Sequence, residues 1–240
     1  MRAVGSICAA GLLALSCGFL AAQDAAPAAK PAAEASAKRQ VSFSFERKGV
    51  AVVHYRMLIH EDGSGSYEGE EIPVATAYGN PVNQTPTPFH HAISISPGTT
   101  QKIFSLAEKL NHFDMTCASK LKNIANTGIK TLAYSGRDGS GSCTYNYSDN
   151  KDVEALTDIF LGMAETMDIG RRLDMLRRFD RLGLDEAMKF LGDEVAAGRA
   201  LEIGTIEKSL RSIAQDSELM ARVRTRATAL LSQSGVPAIP

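Results

Sequence analysis

Val53-His54-Tyr55-Arg56-Met57-Leu58-Ile59-His60-Glu61-Asp62-Gly63-Ser64-Gly65-Ser66 is the stretch that decides the fold of the first half of the chain. Val53, Tyr55, Met57 and Ile59 alternate with His54, Arg56, Leu58 and His60, the period of 2 that puts one face of a strand on a core. Asp62-Gly63 then reads as a hairpin turn, because glycine accepts positive φ and Asp and Ser side chains bond turn backbone. The return strand runs from about Gly65 to Ile72. The pentapeptide Asp-Gly-Ser-Gly-Ser at 62–66 recurs at 138–142, again between strand-like runs, Gly128 to Tyr134 and Ser142 to Tyr147. Each hairpin is followed at some distance by an amphipathic helix. The expected fold is α+β, an antiparallel sheet built from two β-hairpin/helix units and followed by an all-helical C-terminal part.

Working outward, Val41-Ser42-Phe43-Ser44-Phe45 alternates in the same way and predicts a strand. Pro73 to Pro88 is Pro-rich and irregular. Ala92, Ser94 and Ser96 alternate with His91, Ile93 and Ile95 in a further strand, and Ser96-Pro97 is a helix N-cap followed by N1 proline. Ile103, Phe104, Leu106, Ala107 and Leu110 make the apolar stripe of that helix. From Lys151 the period becomes helical: Val153, Leu156, Ile159, Phe160, Met163 and Met167, then Leu173, Leu176, Phe179 and Leu182. Gly170 reads as a break or kink, Gly183 as a stop, Asp185 as the cap of the next helix and Gly198 as its end. Ile203, Ile206, Leu210 and Ile213 form another face. Asp216 or Ser217 caps a last helix carrying Leu219, Val223, Ala227 and Leu230, and this last pair is similar to a HEAT-type helical repeat. Two regions result: a β-rich α+β domain over 41–150 and a helical region over 151–235.

The first forty residues do not read as fold. Met1-Arg2, an apolar stretch from Val4 to Ala22 and small Ala21-Ala22 before Gln23-Asp24 have the layout of a secretory signal peptide, residues 1–22. An alternative is a lipoprotein signal anchored through Cys17, after Ala14-Leu15-Ser16. Residues 23–40, QDAAPAAKPAAEASAKRQ, hold no large apolar side chain and are expected to be a disordered Ala/Pro linker. Export makes the cysteines informative. Cys8 and Cys17 lie in the signal, which leaves Cys117 and Cys143 as an expected disulfide in an oxidising compartment, with two separate buried thiols as the alternative.

A resemblance follows from this order. A hairpin, a Ser-Pro-capped helix, the run Ile124-Ala125-Asn126-Thr127-Gly128-Ile129-Lys130-Thr131-Leu132, a second hairpin and a helical tail with an Arg-rich first part together resemble a group of uncharacterised exported bacterial proteins. The resemblance covers most of residues 41–235. It implies export and this general architecture, and no activity.

Several constellations could carry chemistry. All five histidines lie between His54 and His112. His54, His60, His90 and His91 are candidate ligands for a transition metal, the basis of an alternative expectation that the protein is a metal-assisted hydrolase. His54 and His60 would lie about 20 Å apart on one strand, and His90 and His91 would face opposite ways. Asp-Gly-Ser-Gly-Ser also resembles the metal-ion-dependent adhesion site of von Willebrand A domains. That site needs a strand before the motif and a helix after it, whereas here a strand follows. Arg171, Arg172, Arg177, Arg178 and Arg181 form the densest basic run, which reads as a solvated helix face or as a contact with anionic lipid or a phosphate-bearing partner. No GxSxG, Walker sequence or helix-opening GxGxxG occurs.

Composition narrows the classes further. The 240 residues carry 26 Lys+Arg against 27 Asp+Glu and no Trp, which argues against nucleic acid as the partner. Loss of the signal would leave 25 basic and 27 acidic residues, a net charge of −2. No apolar run after the N-terminus is long enough for a membrane span. The expectation is an exported envelope protein, a non-enzymatic binding or interaction module for a protein or another envelope component, without a cofactor.

Overall fold

Alternation along residues 41–59 puts every second side chain on one face, and strand register carries that face across a whole sheet. The computed structural model describes residues 38–47, 52–72 and 85–233. The expected signal with Cys17, residues 23–37 of the linker, the Pro-rich residues 73–84 and residues 234–240 lie outside the described residues. Six strands, β1 (Gln40–Glu46), β2 (Val52–His60), β3 (Ser64–Glu71), β4 (Thr87–Ser94), β5 (Ile129–Gly136) and β6 (Gly139–Tyr145), pair antiparallel in the order β4-β3-β2-β1-β5-β6. One row crosses all six: His91 opposite Tyr67, Tyr67 opposite Met57, Met57 opposite Phe43, Phe43 opposite Leu132, and Leu132 opposite Cys143. Tyr67, Met57, Phe43 and Leu132 in that row are completely buried.

The alternation in β2 has one break. Register shifts between Val52 and His54, so Val52 and Tyr55 are both buried although they stand three apart, and Val53 is only half-buried. A bulge of this kind inserts one residue and changes the facing of everything before it. The sequence pattern, which paired Val53 with Tyr55, does not show it.

Between β4 and β5 lies helix α1 (Pro97–Lys109). Ser96 caps it as expected, its hydroxyl accepting from the Thr99 N–H at 3.3 Å. After β6 the chain is helical: α2 (Lys151–Phe179), α3 (Arg181–Ala196), α4 (Glu207–Gln215) and α5 (Ala221–Gln233). Asn150 caps α2 through the Asp152 N–H at 2.9 Å. With 29 residues, α2 is about 43 Å long. It is buried on two sides. Phe160 stacks on Phe43 with centroids 5.0 Å apart, and Thr166 on another face donates to the Leu201 carbonyl at 2.6 Å. The architecture is therefore a six-stranded antiparallel sheet followed by helices, and one continuous cluster of buried side chains runs from Val41 to Leu231.

Four helix-boundary expectations are corrected. Gly170 does not break α2. It lies mid-helix, where a Cβ would come within 2.4 Å of Ile206 Cγ2, so the missing side chain is a notch for Ile206. Gly183 does not stop a helix but sits in the first turn of α3, where its N–H donates to Asp180 at 2.9 Å. Asp180, not Asp185, is therefore the cap, and Asp185 instead takes Arg222 and Arg226. Asp216 makes a tight turn to the Glu218 N–H at 3.1 Å, five residues before α5 opens at Ala221. Gly198, at φ +69, does end α3.

Candidate functional site

The topology explains where the two Asp-Gly-Ser-Gly-Ser turns meet. β1 is central and antiparallel to both β2 and β5, so its first residue, Gln40, lies opposite His60 and Ser135. The turn after β2 and the turn after β5 therefore flank Arg39 at one end of the sheet. Arg39 Nε donates to the Tyr134 hydroxyl at 2.8 Å, and Tyr134 donates to Asp138 at 2.5 Å. Its terminal nitrogens pair with Glu108 and, at 3.4 Å, with Glu61. The hydrogen bond to Tyr134, then the one to Glu108, raises the guanidinium above its ordinary range. Burial, then the bond to Asp138, raises the Tyr134 phenol, and that bond lowers Asp138. Three carboxylates, Glu61, Glu108 and Asp138, and a phenol surround one guanidinium, which ties both hairpin turns to α1. A cleft of about 330 Å³ opens beside it, lined by Arg39, Glu61, Gln101, Phe104 and Glu108.

The two copies of the pentapeptide do different work. Asp62 accepts from the Ser64 N–H at 3.0 Å and closes its own turn. That interaction, led by the Ser64 hydroxyl, lowers its carboxyl. Asp138 instead faces Tyr134, Arg39 and, at 3.6 Å, His112. The second glycine of this copy, Gly141, makes room for backbone: a Cβ there would lie 2.5 Å from the His112 carbonyl. What presses on it is a left-handed turn. Asn111, His112 and Phe113 have φ of 50°, 55° and 66°, a conformation that costs a non-glycine residue roughly 1–2 kcal/mol. Burial of Phe113 and the stacking of His112 on Tyr134, centroids 4.2 Å apart, hold it. Neither turn has the adhesion-site arrangement, since a strand follows each.

The candidate metal ligands do not converge. His54, His60 and His90 stand on the sheet face away from the helices, His54 and His60 at opposite ends of β2. His90 lies opposite Glu68, 3.6 Å from its carboxylate. His91 faces the helices beside Phe89, where burial and then Arg171 lower its pKa. Among the described residues no three His, Cys, Asp or Glu side chains come together as a metal site.

Cys117 and Cys143 form a disulfide, with Cα atoms 5.7 Å apart. It straps the segment after the left-handed turn to β6, and the Ser119 N–H continues the strap by donating to the Tyr147 carbonyl at 2.9 Å.

The arginine run is divided by the packing of α2 and α3. Arg171 lies under Phe89, 4.3 Å from its centroid, and pairs with Asp168 at 2.8 Å and Glu71 at 3.4 Å. Asp168 in turn accepts the Tyr67 hydroxyl at 2.7 Å. Burial raises the Asp168 carboxyl against the opposing pull of Arg171. Arg177 pairs with Asp216 at 3.3 Å and Arg181 with Glu218 at 2.7 Å. Arg172 and Arg178 are exposed and make no ion pair among the described residues. Beside them the α2–α3 corner presents Phe179, 82% exposed, and Leu182, 80% exposed, with Met175 half-exposed one turn earlier. Sequence periodicity places Phe179 and Leu182 on the core stripe; they fall outside it because α2 ends at Phe179 and the non-helical backbone of Asp180, at φ −146°, breaks the helical phase before α3 begins. No helix among the described residues is long and apolar enough to cross a membrane. No known protein-family model matches the chain, and no curated protein matches it.

Proposed function

We propose that this is an exported envelope protein that acts as a binding module, with the corner between α2 and α3 as its binding surface. The observation that carries the proposal is the exposure of Phe179 and Leu182, at 82% and 80%, next to arginines with no acidic partner among the described residues. Large apolar side chains held in water on a helical corner mark an interaction surface. The Cys117–Cys143 disulfide supports export, because such a bond persists in an oxidising compartment. The sheet is read as two hairpin–helix units, supported by the placement of both Asp-Gly-Ser-Gly-Ser turns at one end, each with its first glycine at positive φ.

Cell fractionation with thiol labelling tests export, and a photo-crosslinking residue at position 179 tests the surface. An exported protein with no free thiol on Cys117 or Cys143, and an adduct from position 179, are expected. A cytoplasmic protein with two reactive thiols would sink the first half of the proposal. The absence of any adduct in intact cells would sink the second.

A further inference from the structure

We infer that the α2–α3 corner docks on an anionic phospholipid surface, with Phe179 and Leu182 entering the interfacial layer and Arg172 and Arg178 meeting lipid phosphates. This rests on the reading of the corner as a binding surface and names its partner.

The geometry supports a tip. Arg171 marks the contact of α2 with β3 and β4, through Glu71 and Phe89. The eight residues from Arg172 to Phe179 add about 12 Å of helix beyond it, and their inner side chains, Leu173 and Leu176, are buried. The outer line Arg172, Met175, Phe179 follows i, i+3, i+7 and so shares one face. At the end of that line the chain turns at Asp180 and offers Leu182. Two large side chains projecting at a turn suit the headgroup boundary, where a shallow wedge is buried on all sides at once.

Charge points the same way. Of the five arginines from 171 to 181, the three that meet carboxylates are those packed toward Glu71 and Asp168, Asp216 or Glu218. Arg172 and Arg178, both exposed, and Lys189 on α3 make no ion pair among the described residues. The carboxylates of the segment from Arg172 to Lys189 are Asp174, Asp180, Asp185 and Glu186. Asp180 is engaged as the cap of α3, accepting from Gly183. From Arg172 to Lys189 five basic residues stand against four acidic ones, a net charge of +1 on a chain whose net charge is −1, and Asp185 is taken up by Arg222 and Arg226; the excess complements an anionic surface.

The absence of tryptophan provides the probe. Phe179→Trp gives the chain its sole Trp at the tip. With vesicles of phosphatidylglycerol and phosphatidylethanolamine, the expected results are a blue shift of its emission and co-sedimentation of the wild-type protein that weakens with salt. Phe179→Ser with Leu182→Ser is expected to weaken co-sedimentation by about tenfold or more, and Arg172→Gln with Arg178→Gln to remove the preference over phosphatidylcholine vesicles. Both variants alter exposed positions, and a cooperative thermal transition close to that of the wild type shows that they fold. No co-sedimentation with the anionic vesicles, or co-sedimentation indifferent to the double serine variant, overturns the inference. If vesicles fail while the crosslink from position 179 to an envelope protein is lost on the same substitution of Leu182, the lipid partner is wrong and the binding surface stands. If both assays fail, the binding reading falls with it.

Discussion

The Glu202 carboxylate accepts the Ser96 backbone N–H at 2.8 Å and the Ser96 hydroxyl at 2.7 Å, and Thr99 donates to it as well. Glu202 stands after α3 in the helical part of the chain, yet it completes the N-terminus of α1 in the sheet-bearing part. A carboxylate is favoured there by the unpaired N–H groups and positive dipole end of the helix. Glu202 itself has φ 55°, so the contact is held against backbone strain. The helical part is thus joined to the sheet by polar chemistry as well as by the stacking of Phe43 on Phe160.

Glu202→Ala is expected to lower stability by about 1–3 kcal/mol, the usual range for hydrogen bonds to a charged group. Glu202→Gly loses the same bonds but adopts φ 55° freely, so it should recover roughly 1 kcal/mol of that loss. Urea unfolding of the two variants measures both quantities. Equal midpoints would show that residue 202 carries no strain.

Gly170→Ala is expected to destabilise the protein by about 1–3 kcal/mol, the cost of overpacking a filled core, although alanine is the better helix former. The reason is the approach of Ile206, whose Cγ2 would lie 2.4 Å from the new Cβ. Combining it with Ile206→Ala, which removes Cγ2, should cost less than the sum of the two single substitutions. Additive effects of the two substitutions, read from thermal midpoints, would refute the notch.

These cases show what is legible in the sequence and what is not. Strands with a period of 2 could be read because Phe43, Met57 and Leu132 each report their own facing. The Ser96-Pro97 cap is local and could also be read. Glu202 could not, since its partners are more than a hundred residues away, and neither could Gly170, since a glycine inside a helical pattern gives no sign of whether it breaks the helix or admits a neighbour. The left-handed turn at 111–113 offers only Asn111 as a cue, and its cause, the close backbone of Gly141, lies on another element. At the surface, the arginine run was visible as a run. Its division into paired and unpaired members depends on Asp216, Glu218 and Glu71, which only tertiary packing brings near.

Removal of the Cys117–Cys143 bond is expected to cost about 3.5 kcal/mol by the loop-entropy relation, given a sequence separation of 26. Cys143→Ser alone should show most of this loss, and adding Cys117→Ser should change little more, because the bond is already absent. Both should be compared with the oxidised wild type in urea without reductant. The bond straps the segment following the strained turn onto β6, so hydrogen exchange in residues 111–119 should rise more than in α4 and α5. Uniform acceleration throughout the chain would contradict a local strap.

Lys130 gives a pH test whose sign can be worked out. Its side chain is buried, with the ammonium donating to the Asn146 carbonyl at 2.8 Å and Thr127 at 3.2 Å. It also lies over the Phe45 and Tyr145 rings, 5.7 and 6.0 Å from their centroids. Burial, and after it the charge of Arg47, lowers its pKa from the ordinary 10.5. Between the lowered value and 10.5 the unfolded chain binds more protons than the native one, so this group makes stability rise with pH across that window. Below the window its penalty is constant. Lys130→Met should cost about 1–3 kcal/mol at neutral pH by leaving the Asn146 carbonyl without its donor. The same substitution should remove the alkaline gain, so the difference between variant and wild type widens as pH approaches 10.5. Unfolding free energies measured in urea across that range check this. Parallel curves would show that the ammonium is as well solvated in the fold as in the open chain.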